Sequence, residues 1–117
     1  MSHDQIGQLF MIGFDGTTVS ADLASFTREY KPGGIILFSR NLESIAQIVE
    51  FTSDLQRCSP HSPLLISIDQ EGGRVSRLPK DFTIFPPCEV LGQCRSSELA
   101  YAAAATTATE LKAVGIN

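Results

Sequence analysis

The amino-acid sequence predicts an α/β fold built on a parallel sheet, and three observations carry that reading. Short, uniformly apolar segments alternate with segments of helical periodicity. Those short segments lack the every-second-residue polarity of a sheet with one wet face. A long connection rich in Pro and Gly follows the third of them.

Each element has its own local signal. Leu9 to Phe14 is a short apolar run closed by Asp15-Gly16, which reads as a buried strand. Ser20 is placed to cap a helix with Leu23, Phe26 and Tyr30 on one face, ended by Lys31-Pro32-Gly33-Gly34. The β-branched run Ile35-Ile36-Leu37-Phe38 predicts a second strand, followed by the polar Ser39-Arg40-Asn41. Asn41 is placed to cap a second helix, in which Leu42, Ile45, Val49 and Leu55 recur at helical spacing up to Cys58-Ser59-Pro60.

Leu64 to Ile68 predicts a third buried strand that runs straight into Asp69. The connection from Gln70 to about Arg95 is followed by Ser96 or Ser97, either of which opens an Ala-rich helix finished by Gly115. The small residues of that helix would allow close approach to a sheet. Gly115-Ile116-Asn117 reads as the lead-in to another strand.

Bulk properties exclude several function classes. A chain of 117 residues with no internal repeat or linker is one small domain or part of one. Its net charge of −4 and nine scattered Lys and Arg residues argue against a nucleic-acid partner. Apolar residues make up 43%, just below the soluble range of roughly 45–50%, so a buried core is expected and disorder is not.

No window approaches the ~18 consecutive apolar residues of a transmembrane helix, so no membrane span is expected. The start Met1-Ser2-His3-Asp4-Gln5 lacks the features of a secretory signal, which makes a cytoplasmic location the expectation. Cys58, Cys88 and Cys94 read as reduced, structurally incidental thiols, and His3 and His61 as solvated loop residues. No Cys/His set has zinc-ligand spacing, so no metal is expected.

Two architectures accommodate the order of elements. One is a doubly wound sheet. The other is a (β/α)8 barrel, which takes about 250 residues and carries its site at the carboxyl ends of the strands. The connection after the third strand far exceeds the ~2–6 residues usual for such units, and its position favours a functional loop.

The chemistry concentrates in Asp69-Gln70-Glu71-Gly72-Gly73-Arg74-Val75. Asp69 leaves a rigid strand, so its carboxylate is aimed into any pocket at that end of the sheet. Two acceptor oxygens suit a pair of vicinal sugar hydroxyls, each donating one charge-assisted hydrogen bond. Gly72 and Gly73 allow a sharp backbone turn with room for a ligand. Arg74 is positioned to pair with Asp69 or Glu71. The same residues also fit a structural Asp–Arg pair that pins the loop while Asp69 serves no ligand, and spacing alone does not choose.

This segment, with Arg77-Leu78 behind it, resembles the signature of the β-N-acetylhexosaminidase branch of glycoside hydrolase family 3. Ile6 to Phe14 is similar to that family's opening segment, Gly33 to Asn41 to its second-strand segment, and Phe85-Pro86-Pro87 with Leu91-Gly92 to its loop beyond the third strand. The resemblance is collinear over essentially the whole chain.

It implies the first three β/α units of a (β/α)8 TIM-type barrel, incomplete, with residues 1–117 as the amino-terminal part of the barrel domain. It implies a retaining hydrolase that releases terminal N-acetylglucosamine, for example in turnover of cell-wall muropeptides, without metal or organic cofactor. The family's sugar-binding Asp matches Asp69. Glu71, Arg74, Asn41, Gly72 and Gly73 match signature positions as loop-shaping or pocket-lining residues.

Retaining glycosidases need a nucleophile and an acid/base group, in the two-carboxylate design about 5–5.5 Å apart. In this branch, the resemblance implies, these are a late-barrel Asp and a His on a mobile loop near a Lys-His-x-Pro-Gly motif. Neither segment is present, and His61 precedes the third strand, at the wrong end of the sheet. The chain is therefore expected to be inactive alone, and to need the missing barrel half or to self-associate.

A non-catalytic sugar-binding module or inactive remnant is the alternative. A nucleotide-binding domain would need a Gly-rich loop that Gly13-Phe14-Asp15-Gly16-Thr17-Thr18 does not supply.

Overall fold

The computed structural model of the chain describes residues 3–60 and 62–117, the side chains of residues 3 and 4 excepted. The readings of His61, of the His3 side chain and of Met1-Ser2 lie outside the described residues.

Three strands, β1 (Met11–Ile12), β2 (Gly34–Leu37) and β3 (Leu65–Ile68), form one parallel sheet in the order β1-β2-β3. Met11 pairs with Gly34, and Gly34 through Leu37 pair with Leu65 through Ile68. A short helix α1 (His3–Gly7) precedes β1, while α2 (Ala21–Tyr30) and α3 (Ile45–Arg57) make the two crossovers. Beyond β3 come α4 (Cys88–Gln93) and the long α5 (Ser97–Ala113).

The helix caps follow from local chemistry. Ser20 Oγ accepts from Leu23 N at 3.1 Å, and Lys31 ends α2 with a left-handed φ of 47°. Ser96 Oγ accepts from Leu99 N at 3.3 Å at the start of α5. The cap of α3 is Ser44, whose hydroxyl accepts from Gln47 N at 3.2 Å. Asn41 lies in a single 3-10 turn, Ser39–Asn41, because its side chain is spent on more distant backbone groups.

The buried faces also differ from the expected ones. Leu23 and Thr27 form the buried side of α2, whereas Phe26 and Tyr30 are exposed and stack on one another with centroids 4.7 Å apart. On α3 the buried row is Ile48, Phe51, Thr52 and Leu55, and Ile45 and Val49 face outward. In both helices the face that packs lies about one residue round from the face expected.

The core is one-sided. Ile35, Leu37 and Ile66 are fully buried and pack with Ile48, Phe51 and Leu55, with Ile68 partly buried against the same cluster. The alternate positions of the sheet point the other way. Leu65 is 58% exposed and Met11 45%, and the Ser67 hydroxyl donates to Met11 Sδ at 2.9 Å. Leu9 and Phe10 are exposed in the turn before β1, so the buried strand expected over Leu9–Phe14 shrinks to two residues.

Strands apolar on both faces require two covering layers, and only the helical layer is present. The radius of gyration of 15.9 Å, against about 13 Å for a compact chain of this length, reflects this slab-like shape.

The far edge of β3 decides between the two architectures. Gly115 ends α5 with φ +83°, and Thr52 Oγ1 donates to the neighbouring Val114 carbonyl at 2.7 Å. Ile116 then enters the core, and Asn117 N donates to Ile66 O at 3.1 Å. The chain thus begins to pair beside β3. A doubly wound sheet of order 3-2-1-4 would return it to β1. Sequential pairing outward is the arrangement of the first three β/α units of a (β/α)8 barrel, seen here as an open arc.

Candidate active site

At the carboxyl end of β3 the backbone emerges at Asp69, whose side chain is 49% exposed. It continues the alternation of Leu65 and Ser67, on the sheet face away from the helices. Arg77, not Arg74, is its cationic neighbour: Arg77 Nη2 lies 4.0 Å from Asp69 Oδ2. The Arg77 side chain is only 29% exposed, and its Nε is buried without a hydrogen-bond partner. Arg74 is exposed and forms no ion pair among the described residues.

The loop that folds Arg77 back is tightly braced. Gln70 Oε1 accepts from Arg77 N at 2.8 Å and from Leu78 N at 3.4 Å, while Gln70 Nε2 donates to Ser76 Oγ at 2.9 Å. Glu71 N donates to Val75 O at 2.8 Å, and Gly72 bridges Val75 in antiparallel fashion. Behind this hairpin stands the Phe85–Cys88 segment. Gly73 N donates to Phe85 O at 3.1 Å, and the Cys88 thiol to Glu71 O at 3.1 Å.

Both glycines are required here on two counts. Their φ values are +84° at Gly72 and +55° at Gly73. A Cβ on Gly72 would sit 2.3 Å from Pro86 O, and one on Gly73 would sit 2.4 Å from Pro87 Cγ.

Asn41 is fully buried and does not reach Asp69's surroundings through its side chain. Its Nδ2 donates to Gly16 O at 2.8 Å and to Phe14 O at 3.2 Å, and its Oδ1 accepts from Phe38 N at 2.9 Å. It therefore ties the β1–α2 loop to the end of β2. Arg40 braces the same corner, with Nε 2.6 Å from Asp15 Oδ1 and the guanidinium 4.7 Å above the Phe38 ring.

A groove of about 650 Å³ runs between α4 and α5 and is closed at one end by Gln70, Glu71 and Gly72. Ala100, Ala103, Ala104 and Ala108 line its α5 wall, and Ala103 is the buried residue of α5. Asp69 does not line this groove, so Glu71 and Gly72 border a cavity behind the loop and not the space in front of the carboxylate.

Sequence reasoning passed over Gln70 and the pairing of Arg77. The signal for both was present: a Gly72-Gly73 reversal must bring the residues near 77 back beside 69 and 70. What results at the strand tip is a set of acceptors beside a set of donors, suited to holding a polyhydroxylated ring. Among the described residues no group of three His, Cys, Asp or Glu side chains is gathered for a metal, and no helix is long and apolar enough to cross a membrane.

The chain matches the glycosyl hydrolase family 3 N-terminal domain over residues 1–117. It is 36% identical over 115 residues to a beta-hexosaminidase of Xylella fastidiosa (strain M23), covering 93% of this chain and 34% of that protein.

Among solved structures, it is similar to a family 3 beta-N-acetylglucosaminidase from Paenibacillus sp. str. FPU-7, with TM-score 0.94 and 44% identity. That match covers 100% of this chain and 23% of the other. NagZ from Neisseria gonorrhoeae, solved in complex with N-trifluoroacetyl-D-glucosamine, superposes with TM-score 0.76 and 34% identity over 91% of this chain and 33% of that one. The chain spans about a third of the length of the curated relatives it matches. With a match that runs from its first residue to its last, the chain belongs to glycosyl hydrolase family 3, in the family's N-terminal domain.

Proposed function

We propose that residues 1–117 are the amino-terminal part of a barrel domain and supply the sugar-binding loop of a retaining β-N-acetylhexosaminidase. The substrate is a glycoside with a terminal N-acetylglucosamine, of the kind released during cytoplasmic turnover of cell-wall muropeptides. Asp69 accepts hydrogen bonds from hydroxyls of the terminal sugar, and Arg77 donates to an oxygen of the same ring. Glu71, Gly72, Gly73 and Asn41 shape the loops that present this pair, and Arg74 lies at their rim. No metal or organic cofactor takes part.

The observation that carries this reading is Asp69 itself. It stands half exposed at the carboxyl end of β3, on the open sheet face, with a guanidinium 4.0 Å away. That end of the strands is where barrel enzymes hold their substrates. The names of the relatives, beta-hexosaminidase and beta-N-acetylglucosaminidase, support the substrate class. Nucleophile and acid/base groups match no residue of this chain, so hydrolysis needs the remaining strands of a barrel.

The test joins residues 1–117 to the complementary part of the Paenibacillus relative and assays release from an aryl N-acetylglucosaminide. The hybrid is expected to turn over and the 117-residue chain alone is not. Asp69→Ala in the hybrid should lower kcat/KM roughly 100-fold, the scale of two charge-assisted hydrogen bonds. Turnover by the chain alone, or a fully active Asp69→Ala hybrid, would refute the proposal.

A further inference from the structure

We infer that Gln70 is a positioning residue: its side-chain amide clamps the returning strand of the loop and thereby sets the Arg77 guanidinium against the Asp69 carboxylate. The inference deepens the sugar-binding reading and rests on it. Gln70 follows Asp69 directly, so its own backbone is anchored to the end of β3. Its Oε1 accepts from the amides of Arg77 and Leu78, at 2.8 and 3.4 Å, and its Nε2 reaches Ser76 Oγ at 2.9 Å. One side chain thus holds three consecutive residues.

Arg77 has little else to hold it. Its Nε is buried without a partner, and its contact with Asp69 is a long one at 4.0 Å. A guanidinium placed by its own strong bonds would be indifferent to Gln70. One placed through its backbone depends on whatever pins that backbone. The half-exposed Asp69 carboxylate, facing this guanidinium at 4.0 Å, then remains available to a ligand. Gln70 also closes the end of the α4–α5 groove, which puts the clamp between the front and the back of the loop.

The experiment uses the 117-residue chain and its variants Gln70→Met, Gln70→Glu, Arg77→Met, Asp69→Asn and the Gln70→Met/Arg77→Met double. Two quantities are read: N-acetylglucosamine binding by calorimetry, and exchange of the Arg77 Nε–H by NMR, with circular dichroism reporting the fold.

Gln70→Met is expected to bind about tenfold more weakly and to exchange the Arg77 Nε–H rapidly. Gln70→Glu keeps the acceptor for both amides and should restore slow exchange and most of the binding. The double variant should bind no more weakly than Arg77→Met. Additive losses, or slow Arg77 exchange in a folded Gln70→Met, would overturn the inference.

If the parent chain and Asp69→Asn both give no heat, the sugar-binding reading fails, and Arg77 exchange alone decides the positioning role. Should Gln70→Met unfold, the Gln70→Glu result decides: fast exchange there overturns the inference, and slow exchange supports it.

Discussion

Gly73 lies against Pro87 so closely that a single added methyl group would reach within 2.4 Å of the Pro87 ring. The turn of the signature loop and the entry to α4 are thereby packed as one piece. Gly73→Ala should destabilise the loop by about 1–2 kcal/mol from its positive φ alone, with a further steric cost. Pro87→Ala removes the ring carbons that clash. In thermal melts the double variant should recover part of the loss, and strict additivity would show that the contact is not what excludes a side chain.

The one-sided core gives an asymmetric expectation for neighbouring residues of β3. Ile66 is fully buried while Leu65 is 58% exposed. Ile66→Ala should cost about 2–5 kcal/mol in urea unfolding, and Leu65→Ala no more than about 0.5 kcal/mol. In the hybrid barrel Leu65 faces inward, and its truncation should become costly. Equal effects of Leu65→Ala in both contexts would mean that the second face of the sheet is never covered.

Asn41 satisfies two carbonyls and one amide from a fully buried position. Asn41→Ala leaves all three unpaired, and a loss of about 2–4 kcal/mol is expected. The consequence should be local as well. Amides of residues 14–18 and Phe38 should lose hydrogen-exchange protection ahead of the rest of the chain. Uniform loss across the sheet would contradict the corner-brace role.

The amino terminus of α5 should be sensitive to acid. Glu98 is held below its ordinary value of 4.5 by backbone hydrogen bonding first, then by the hydroxyls of Ser96 and Ser97. A carboxyl depressed in the folded helix contributes stability above that ordinary value, and the contribution is lost as pH falls through the depressed one. Helical shifts at residues 97–100 should therefore decline below about pH 4.5 in the parent chain. Glu98→Gln should show no such decline, and Ser96→Ala should move its midpoint upward.

Features set by neighbouring residues were legible in the sequence. Ser20, Ser96, Lys31 and the apolar runs of β2 and β3 each act within a few residues of themselves. Asn41 misled because its partners, Phe14 and Gly16, lie 25 or more residues away and outcompete the local capping role. Phe26 and Tyr30 looked like core because helical spacing reports periodicity and not which way the stripe faces. Helix α4 was hidden within its loop, having only six residues, Pro87 as its cap and no capping side chain.

Asp69 could be read because a strand end fixes direction. Its pairing with Arg77 was signalled only through the Gly72-Gly73 reversal, and was missed because the Gln70 clamp that fixes the hairpin register shows no local pattern of its own.

Among the described residues, the hydrogen bonds of residues 70–78 named above have partners between residues 70 and 88. Farther along the segment, Thr83 Oγ1 donates to Glu110 of α5 at 2.6 Å and Phe82 is buried in the core. The signature loop is therefore a contiguous cassette, braced largely from within and fastened to the frame through Phe82 and the Thr83–Glu110 hydrogen bonds. Exchange of those twenty or so residues between relatives, together with residue 110, should transfer ligand preference in one block and leave the sheet untouched. Selection acting on specificity can work within that short stretch as long as the seat of Phe82 in the core and the Thr83–Glu110 tie are kept.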